Sequence, residues 1–327
     1  MNTNFFTAVP DKGYTDTLNE LTKNTICEKL SSIIAQIGEQ INIDLSKEIE
    51  AFNIVDNQLV NPALFYYYFQ LKEAIISEEV DQILDTISLL AHQQTTLKSG
   101  KFKYPKIGSV LDQEWEKNLF IKTTRKDIIS EFGTENGFEI IRPIFAAKLN
   151  SQIDAIKTAL NVLVDTDEIH SYAATNYLQA IKVFDGTIRG FSYQAAYGNI
   201  YIRIPHEAKD NRAYYLEHIV HECAHQYLFA LQIFDPVVVN DNSELYDAPI
   251  RIQKRPMNGI FHACFVLARM VRCFRKTNQI FEGTVYSEFQ ERINHWFDKS
   301  YTIVNEHAKL TEQGRKVFTS LKECAYG

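Results

Sequence analysis

Two histidines four residues apart, with a glutamate directly after the first, are the residues of this chain best suited to chemistry. They are His221, Glu222 and His225, in the run His-Glu-Cys-Ala-His. On a helix, side chains at positions i and i+4 project from one face, about 40° apart, so both imidazoles can bind one metal ion. The glutamate points roughly 100° away from the first histidine, where it can meet a metal-bound water. The spacing predicts a metal site.

The third protein ligand is not fixed by this spacing. Catalytic metal sites usually have three protein ligands and an open position. The metzincin continuation, with a third histidine shortly after the second, is absent because the chain continues Gln-Tyr-Leu-Phe-Ala-Leu-Gln-Ile-Phe after His225. Glu244, in a polar segment, is one alternative, and His262, in the next predicted helix, is the other. At this point both remain open.

A set of spaced residues before His262 resembles a known family. It consists of two patterns, Y-x-x-P-x-R in 246–251 and R-P-x-x-G-x-x-H in 255–262. Following an HExxH motif at this distance, the pattern resembles the HExxH-motif peptide-modification proteins found with ribosomally synthesised, post-translationally modified peptides. The resemblance covers roughly residues 186–280. Ile250 stands where family members often carry Trp, so we expect no stacking role there.

The resemblance implies His221, His225 and His262 as the metal ligands. It also implies a hydroxylase that uses Fe(II), 2-oxoglutarate and O₂ to modify a side chain of a precursor peptide, typically at a β-carbon. Three protein ligands on Fe(II) leave two positions for the ketoacid and one for O₂.

Arginine is the residue expected at the other end of 2-oxoglutarate, because its guanidinium pairs bidentately with a carboxylate. Arg251 and Arg255 lie in the matched pattern, and Arg269 follows His262 by about two helical turns. Tyr246 is a further candidate, which can donate a hydrogen bond to a carboxylate or to the peptide. These four residues are the predicted cosubstrate contacts.

The role of Glu222 depends on the reaction. In a zinc metallopeptidase, which is the alternative function, Glu222 is the general base that activates water. A hydroxylase needs no such base, and Glu222 would then support the ligands or touch the metal. His218, one turn before His221, is either a residue that supports the ligands or polar surface, and we favour polar surface.

The composition limits the partners. The formal net charge of −7 argues against nucleic acid or an anionic membrane as the main partner, and no apolar run is long enough to span a bilayer. The first residues lack the pattern of a secretion signal. The five cysteines are odd in number and lack CxxC spacing, which is typical of thiols in a reducing cytoplasm. We therefore expect a cytoplasmic protein. The peptide substrate is what the resemblance implies, and the oligomeric state stays open.

Sequence patterning predicts a mainly α protein with a small antiparallel β-sheet and a zincin-like metal-helix core in its C-terminal half. Residues 1–185 form the predicted helical N-terminal region, with helical patterning from about Ile140 to Phe184. Residues 186–327 form the predicted HExxH metal-binding catalytic region, and the two can pack as one unit.

Turn and cap residues predict the elements around the motif. Segments 187–193 and 199–204 alternate with period two and predict a β-hairpin. Its second strand is either the candidate edge strand for binding a peptide or part of a hairpin that only covers the core, and both interpretations remain open. Asp210 or Asn211 is expected to cap the metal helix, which should stop before Asp235-Pro236. The next helix is predicted from Met257 to about Lys276.

Overall fold

The structure is a computed structural model that describes most of the 327 residues. The described ranges are 5–50, 59–91, 96–97, 105–120, 141–207, 210–280 and 284–327. Helices dominate these ranges, which confirms the prediction of a mainly α protein.

Eleven helices have described bounds at both ends, and a twelfth, α5, is described only over residues 114–120. The eleven are α1 Lys12–Ile41, α2 Ser46–Glu50, α3 Pro62–Ile76, α4 Val80–Ala91, α6 Ala146–Thr166, α7 Glu168–Tyr172, α8 Asn211–Gln232, α9 Met257–Thr277, α10 Thr284–His307, α11 Glu312–Thr319 and α12 Leu321–Tyr326. Within the described ranges, no helix has both the length and the apolar character that crossing a membrane requires.

Nine short strands form three sheets in the described residues. They are β1 Leu59–Val60, β2 Thr96–Leu97, β3 Lys106–Ser109, β4 Ile141–Pro143, β5 Ala180–Gly186, β6 Gly190–Phe191, β7 Asn199–Arg203, β8 Leu245–Tyr246 and β9 Arg255–Pro256. Strands β1 and β2 pair with each other, as do β8 and β9, and the other five form one sheet of order β3-β5-β7-β6, with β4 also on β5.

The five-stranded sheet is mixed, so the prediction of a purely antiparallel sheet is wrong. Strand β5 pairs in parallel with both β3 and β7, and antiparallel with β4. The helical run expected from about Ile140 to Phe184 is also wrong at both ends, because β4 occupies Ile141–Pro143 and β5 begins at Ala180. Nearly every residue of β5 is buried. A strand buried on both faces shows no polar–apolar alternation, so its sequence does not carry the usual strand signal.

The predicted β-hairpin is confirmed by the antiparallel pairing of β6 with β7, in which Phe191 lies opposite Tyr201 and their rings stack at 4.7 Å. The second strand is not an edge, however, because β7 also pairs with β5 along its length. The expectation that this segment adds a substrate strand is therefore wrong.

The chain divides into two compact units, each discontinuous in sequence. One comprises Met1–Asn19, Asn150–Leu178 and Pro205–Gly327, and the other comprises Glu20–Leu149 and Gln179–Ile204. Each unit therefore takes segments from both predicted regions. The HExxH motif and all other predicted site residues belong to the first unit.

Helices α8 and α9 carry the motif residues and begin where their cap residues predict. The side chain of Asp210 accepts a hydrogen bond from the backbone N–H of Arg212 at 2.8 Å, which confirms it as the N-cap of α8. This helix ends at Gln232, before Asp235-Pro236 as expected. Helix α9 follows Pro256 and packs against α8, α10 and α12.

The segment that follows α8 is held by the turn before α11. The N–H of Thr311 donates to the Val237 carbonyl at 3.1 Å, and its hydroxyl donates to Asp235 at 2.6 Å. Val237 has a φ of 67°, a left-handed conformation that is unusual for a β-branched residue. Gly314 packs directly against it, since a Cβ at Gly314 would lie only 2.1 Å from the Val237 carbonyl oxygen. This contact fixes the start of the α8–α9 connection.

Replacing Gly314 with alanine is expected to destabilise the protein by about 1–3 kcal/mol, because the added methyl group would overlap backbone atoms. Gly259→Ala is the matched control, since its Cβ meets only Arg255 Cβ at 3.6 Å. It should be neutral or stabilise by up to about 1 kcal/mol, from helix propensity. Urea unfolding of both variants measures the difference. Equal free energies of unfolding would contradict the proposed contact.

Candidate metal centre

The two histidines of the motif lie on one side of α8, as their spacing predicts. The ring centroids of His221 and His225 are 5.0 Å apart. Both side chains are partly exposed, whereas the three residues between them are buried. Helical geometry therefore presents the two imidazoles at the surface of the first unit while the rest of the motif packs inward.

His262 joins this pair from α9. Its Nδ1 lies 3.3 Å from Nδ1 of His225, and the two rings are nearly parallel, with centroids 5.5 Å apart. The contact links residues 37 positions apart in sequence. Of the two third-ligand alternatives, the structure brings His262, and not Glu244, to the HExxH motif.

The distance between these two nitrogens is compatible with a shared ion. Metal–nitrogen bonds of about 2.1 Å at tetrahedral angles place two ligand nitrogens about 3.4 Å apart. The described residues nevertheless contain no group of three or more His, Cys, Asp or Glu side chains arranged to hold a metal ion. The structure therefore describes a pair of suitably spaced imidazoles with a third ring, His221, beside it.

Burial sets the charge of all three imidazoles. It lowers the pKa of His221 to about 4 and the pKa of His262 to about 4. The pKa of His225 lies well below its usual range, first because of burial and then because of the two neighbouring imidazoles. At neutral pH each ring is therefore uncharged and keeps one nitrogen lone pair, which is the form that binds metals.

The two candidate glutamates have different surroundings. Glu222 is only 2% exposed. Glu244 is exposed and accepts hydrogen bonds from the Tyr246 hydroxyl at 2.7 Å and the Lys309 ammonium at 3.5 Å, and these contacts lower its pKa. The Tyr246 ring packs on His307, with centroids 5.6 Å apart. Glu244 and Tyr246 thus belong to a hydrogen-bonded group of the α8–α9 connection.

The three candidate arginines also differ in position. Arg251 is exposed. Arg255 is partly exposed, and its Cβ lies beside Gly259, which precedes His262 by one helical turn. Arg255 lies opposite Tyr246 in the β8–β9 pair, so two residues of the family pattern become neighbours.

Arg269 is 2% exposed and lies over the rings of Tyr227 and Phe265, at 5.1 Å and 5.4 Å. Tyr227 is two residues after His225, about 160° away around α8. Arg269 therefore packs against the opposite side of that helix. Neither its Nε nor its Nη2 has a hydrogen-bond partner among the described residues, so the two ring contacts are what compensate its burial.

Two contact residues of the histidines were not predicted. Phe229 stacks on His225 with centroids 5.9 Å apart, and Gln232 lies 2.9 Å from Nε2 of His262. Both continue the helical stripe of the motif, four and seven residues after His225, which is the signal that could have identified them. The prediction that His218 is surface is wrong, since it is 6% exposed and stacks on Tyr214 at 4.2 Å.

The lowered histidine pKa values predict that the metal-free protein loses stability in mild acid. Below about pH 6.5 the unfolded chain binds protons on these imidazoles, whereas folded His221 and His262 bind them only near pH 4. The unfolded state therefore holds more protons in this window, and the free energy of unfolding must fall as the pH falls through it. The limit is about 1.4 kcal/mol per pH unit for each group.

Urea unfolding with a chelator, at pH 7 and at pH 5, tests this. His262→Gln should reduce the pH dependence, because one titrating group is removed. His295→Gln, at an exposed position, should not change it. An identical slope in the His262 variant and the unsubstituted protein would contradict the assignment.

No protein-family model matches the sequence. No curated protein matches it at a significant level. The interpretation of the histidine cluster rests on its own residues and their geometry.

Proposed function

We propose that this protein is a metal-dependent peptide hydroxylase in which His221, His225 and His262 bind Fe(II). The observation that carries the proposal is the 3.3 Å approach of His262 Nδ1 to His225 Nδ1. This approach supports a three-histidine site with the two helices in a zincin-like arrangement. The third donor would come from His221, whose ring centroid lies 5.0 Å from that of His225.

The donor set suits this chemistry. Neutral imidazole binds iron, zinc and copper, and three neutral ligands leave the full dipositive charge on the ion. Such a centre attracts a dianion such as 2-oxoglutarate more strongly than a site with a carboxylate ligand would. Bound Fe(II) would activate O₂, which is the oxidant: one oxygen atom would enter a C–H bond of the peptide, and the other would enter 2-oxoglutarate, which would leave as succinate and CO₂.

The protein's part is to bind and orient. The three histidines lie at a partly exposed face of α8 and α9, where a peptide side chain can approach. The Phe229 ring packs against both His225 and His262, so it limits how far these two rings can turn. Holding reacting groups in a fixed geometry is a large part of what an active site contributes to rate.

Arg255 is the arginine that we propose for the distal carboxylate of 2-oxoglutarate. Its Cβ lies beside Gly259, one helical turn before His262, and its side chain is partly exposed. Arg269 packs on the opposite side of α8 from His225, and Arg251 lies in the exposed connection. A guanidinium at position 255 can pair with a carboxylate through two parallel hydrogen bonds.

The burial of Glu222 supports a role other than hydrolytic base. At 2% exposure its carboxylate lies inward, while the histidines around it reach the surface. We propose that Glu222 supports the metal helix from within.

The substrate is a ribosomally made precursor peptide, and the site of action is the cytoplasm, in keeping with five cysteines that are all free and buried.

Metal binding distinguishes the two candidate third ligands. His262→Ala should weaken Fe(II) or Co(II) binding at least about 10-fold, because one of three donors is lost. Glu244→Ala should leave the affinity unchanged, since this side chain bonds to Tyr246 and Lys309 instead. Titration calorimetry measures both affinities. A larger loss in the Glu244 variant would reverse the assignment.

The reaction itself is tested by reconstitution. Protein prepared without metal is loaded with Fe(II) or Zn(II) and incubated with candidate precursor peptides encoded beside its gene. A mass gain of one oxygen atom that requires both 2-oxoglutarate and O₂ is the expected result. Backbone cleavage that depends on Zn(II) and is abolished by Glu222→Gln would instead establish a zinc metallopeptidase.

Arg255→Gln should raise the KM for 2-oxoglutarate at least about 10-fold, because a charged hydrogen bond to the carboxylate is lost. Arg251→Gln is the matched control, and its KM should stay within about twofold of the unsubstituted protein. Steady-state kinetics with varied 2-oxoglutarate at saturating peptide give both values. A selective effect of the control would move the contact to Arg251.

A further inference from the structure

Gln232, the last residue of α8, is hydrogen-bonded on both sides of its amide. Its Oε1 lies 2.9 Å from Nε2 of His262, and its Nε2 donates to Oδ1 of Asn258 at 2.9 Å. Asn258 lies at the start of α9, one turn before His262. A continuous polar chain therefore runs from Asn258 through Gln232 and His262 to His225.

The chemistry of the amide decides where the His262 proton lies. An amide nitrogen only donates and an amide oxygen only accepts. Because the Gln232 nitrogen is directed to the Asn258 oxygen, the Gln232 oxygen faces the imidazole, and Nε2 of His262 must carry the hydrogen. A neutral imidazole with a proton on Nε2 has its lone pair on Nδ1, which is the atom 3.3 Å from His225.

We propose that Gln232 is a positioning residue that fixes the tautomer of His262, so that Nδ1 is presented to the metal ion. Asn258 in turn fixes the orientation of the Gln232 amide. This inference rests on the proposed metal centre and names the residue that prepares its third ligand. The unfavourable alternative, a proton on Nδ1, would block that ligand atom and leave the Gln232 oxygen facing a second lone pair.

A neutral partner also affects the ion. Carboxylates often hold metal-binding histidines and make the imidazole more basic. An amide oxygen orients the ring without adding a negative charge, so the centre keeps the positive charge that favours a dianionic cosubstrate. The choice of glutamine rather than glutamate at position 232 is thus consistent with a site that binds an acidic small molecule.

Two variants test whether Gln232 orients the His262 ring or only stabilises the fold. Gln232→Leu removes the acceptor, while Gln232→Glu keeps an acceptor oxygen towards His262. Gln279→Leu, at an exposed position, is the matched control. The first readout is the two-bond ¹H–¹⁵N spectrum of the histidine rings in metal-free protein at neutral pH, with His262 assigned from the signal lost in His262→Ala.

The expected result is an Nε2–H tautomer for His262 in the unsubstituted protein, in Gln232→Glu and in Gln279→Leu, and a mixture of tautomers in Gln232→Leu. In calorimetric titration with Co(II), Gln232→Leu should bind about 10- to 100-fold more weakly, and the other two variants should stay within about fivefold. An unchanged tautomer together with unchanged Co(II) affinity in Gln232→Leu would overturn the inference.

The readouts also separate this inference from the function on which it rests. If the unsubstituted protein binds no Co(II) but the tautomer changes as described, the metal centre fails while the role of Gln232 in orienting His262 stands. If Co(II) binds through His262 and Gln232→Leu changes neither measurement, the centre stands and the role of Gln232 is refuted.

Discussion

The packing of α8 against α9 is the interaction on which the rest of the site depends. Tyr227 and Phe265 stack with ring planes only 6° apart, and both side chains are at most 1% exposed. Burying side chains of this size stabilises the fold by roughly 1.5–3 kcal/mol each. The histidines lie on the same two helices, on positions that remain partly exposed. The contact between the two helices therefore holds the imidazoles of α8 and α9 next to each other.

Burial has different consequences for the histidines, for Glu222 and for Arg269. For the histidines it lowers the pKa, so that the imidazoles remain neutral at physiological pH. For Glu222 it removes the side chain from solvent and turns a familiar catalytic residue into a candidate for internal support. For Arg269 it places a guanidinium between aromatic rings, where it stabilises helix packing. Histidine, glutamate and arginine side chains at fully exposed positions would not be affected by burial in these ways.

The connection between the two helices brings residues of the 246–262 sequence pattern together in three dimensions. Tyr246 and Arg255 lie opposite each other in a two-stranded sheet, while Tyr246 and Glu244 share a hydrogen bond. Gly314 and Thr311 hold the other end of this connection through Val237. These contacts thus help to hold the connection in a conformation that lets α9 pack against α8.

The sequence by itself determined the helices that carry the site, because helix starts and stops are local. Asp210 caps α8, Asp235-Pro236 follows its end, and Pro256 precedes α9, and all of these are visible in a few consecutive residues. The common side of His221 and His225 follows from helical geometry alone. Only the tertiary structure brings His262 to His225, because a contact across 37 residues depends on how two helices pack.

The dependence of distant contacts on tertiary packing also explains why the sequence did not predict the mixed sheet or the two units. Strand β5 lacks alternation since it is buried along its length, and its parallel partners come from distant segments. Each unit takes segments from both predicted regions, which no single boundary can represent. Helix starts, helix ends and the spacing of residues on one helix face depend on neighbouring residues, so the sequence predicts them. Contacts between residues far apart in the sequence depend on how buried surfaces pack against each other.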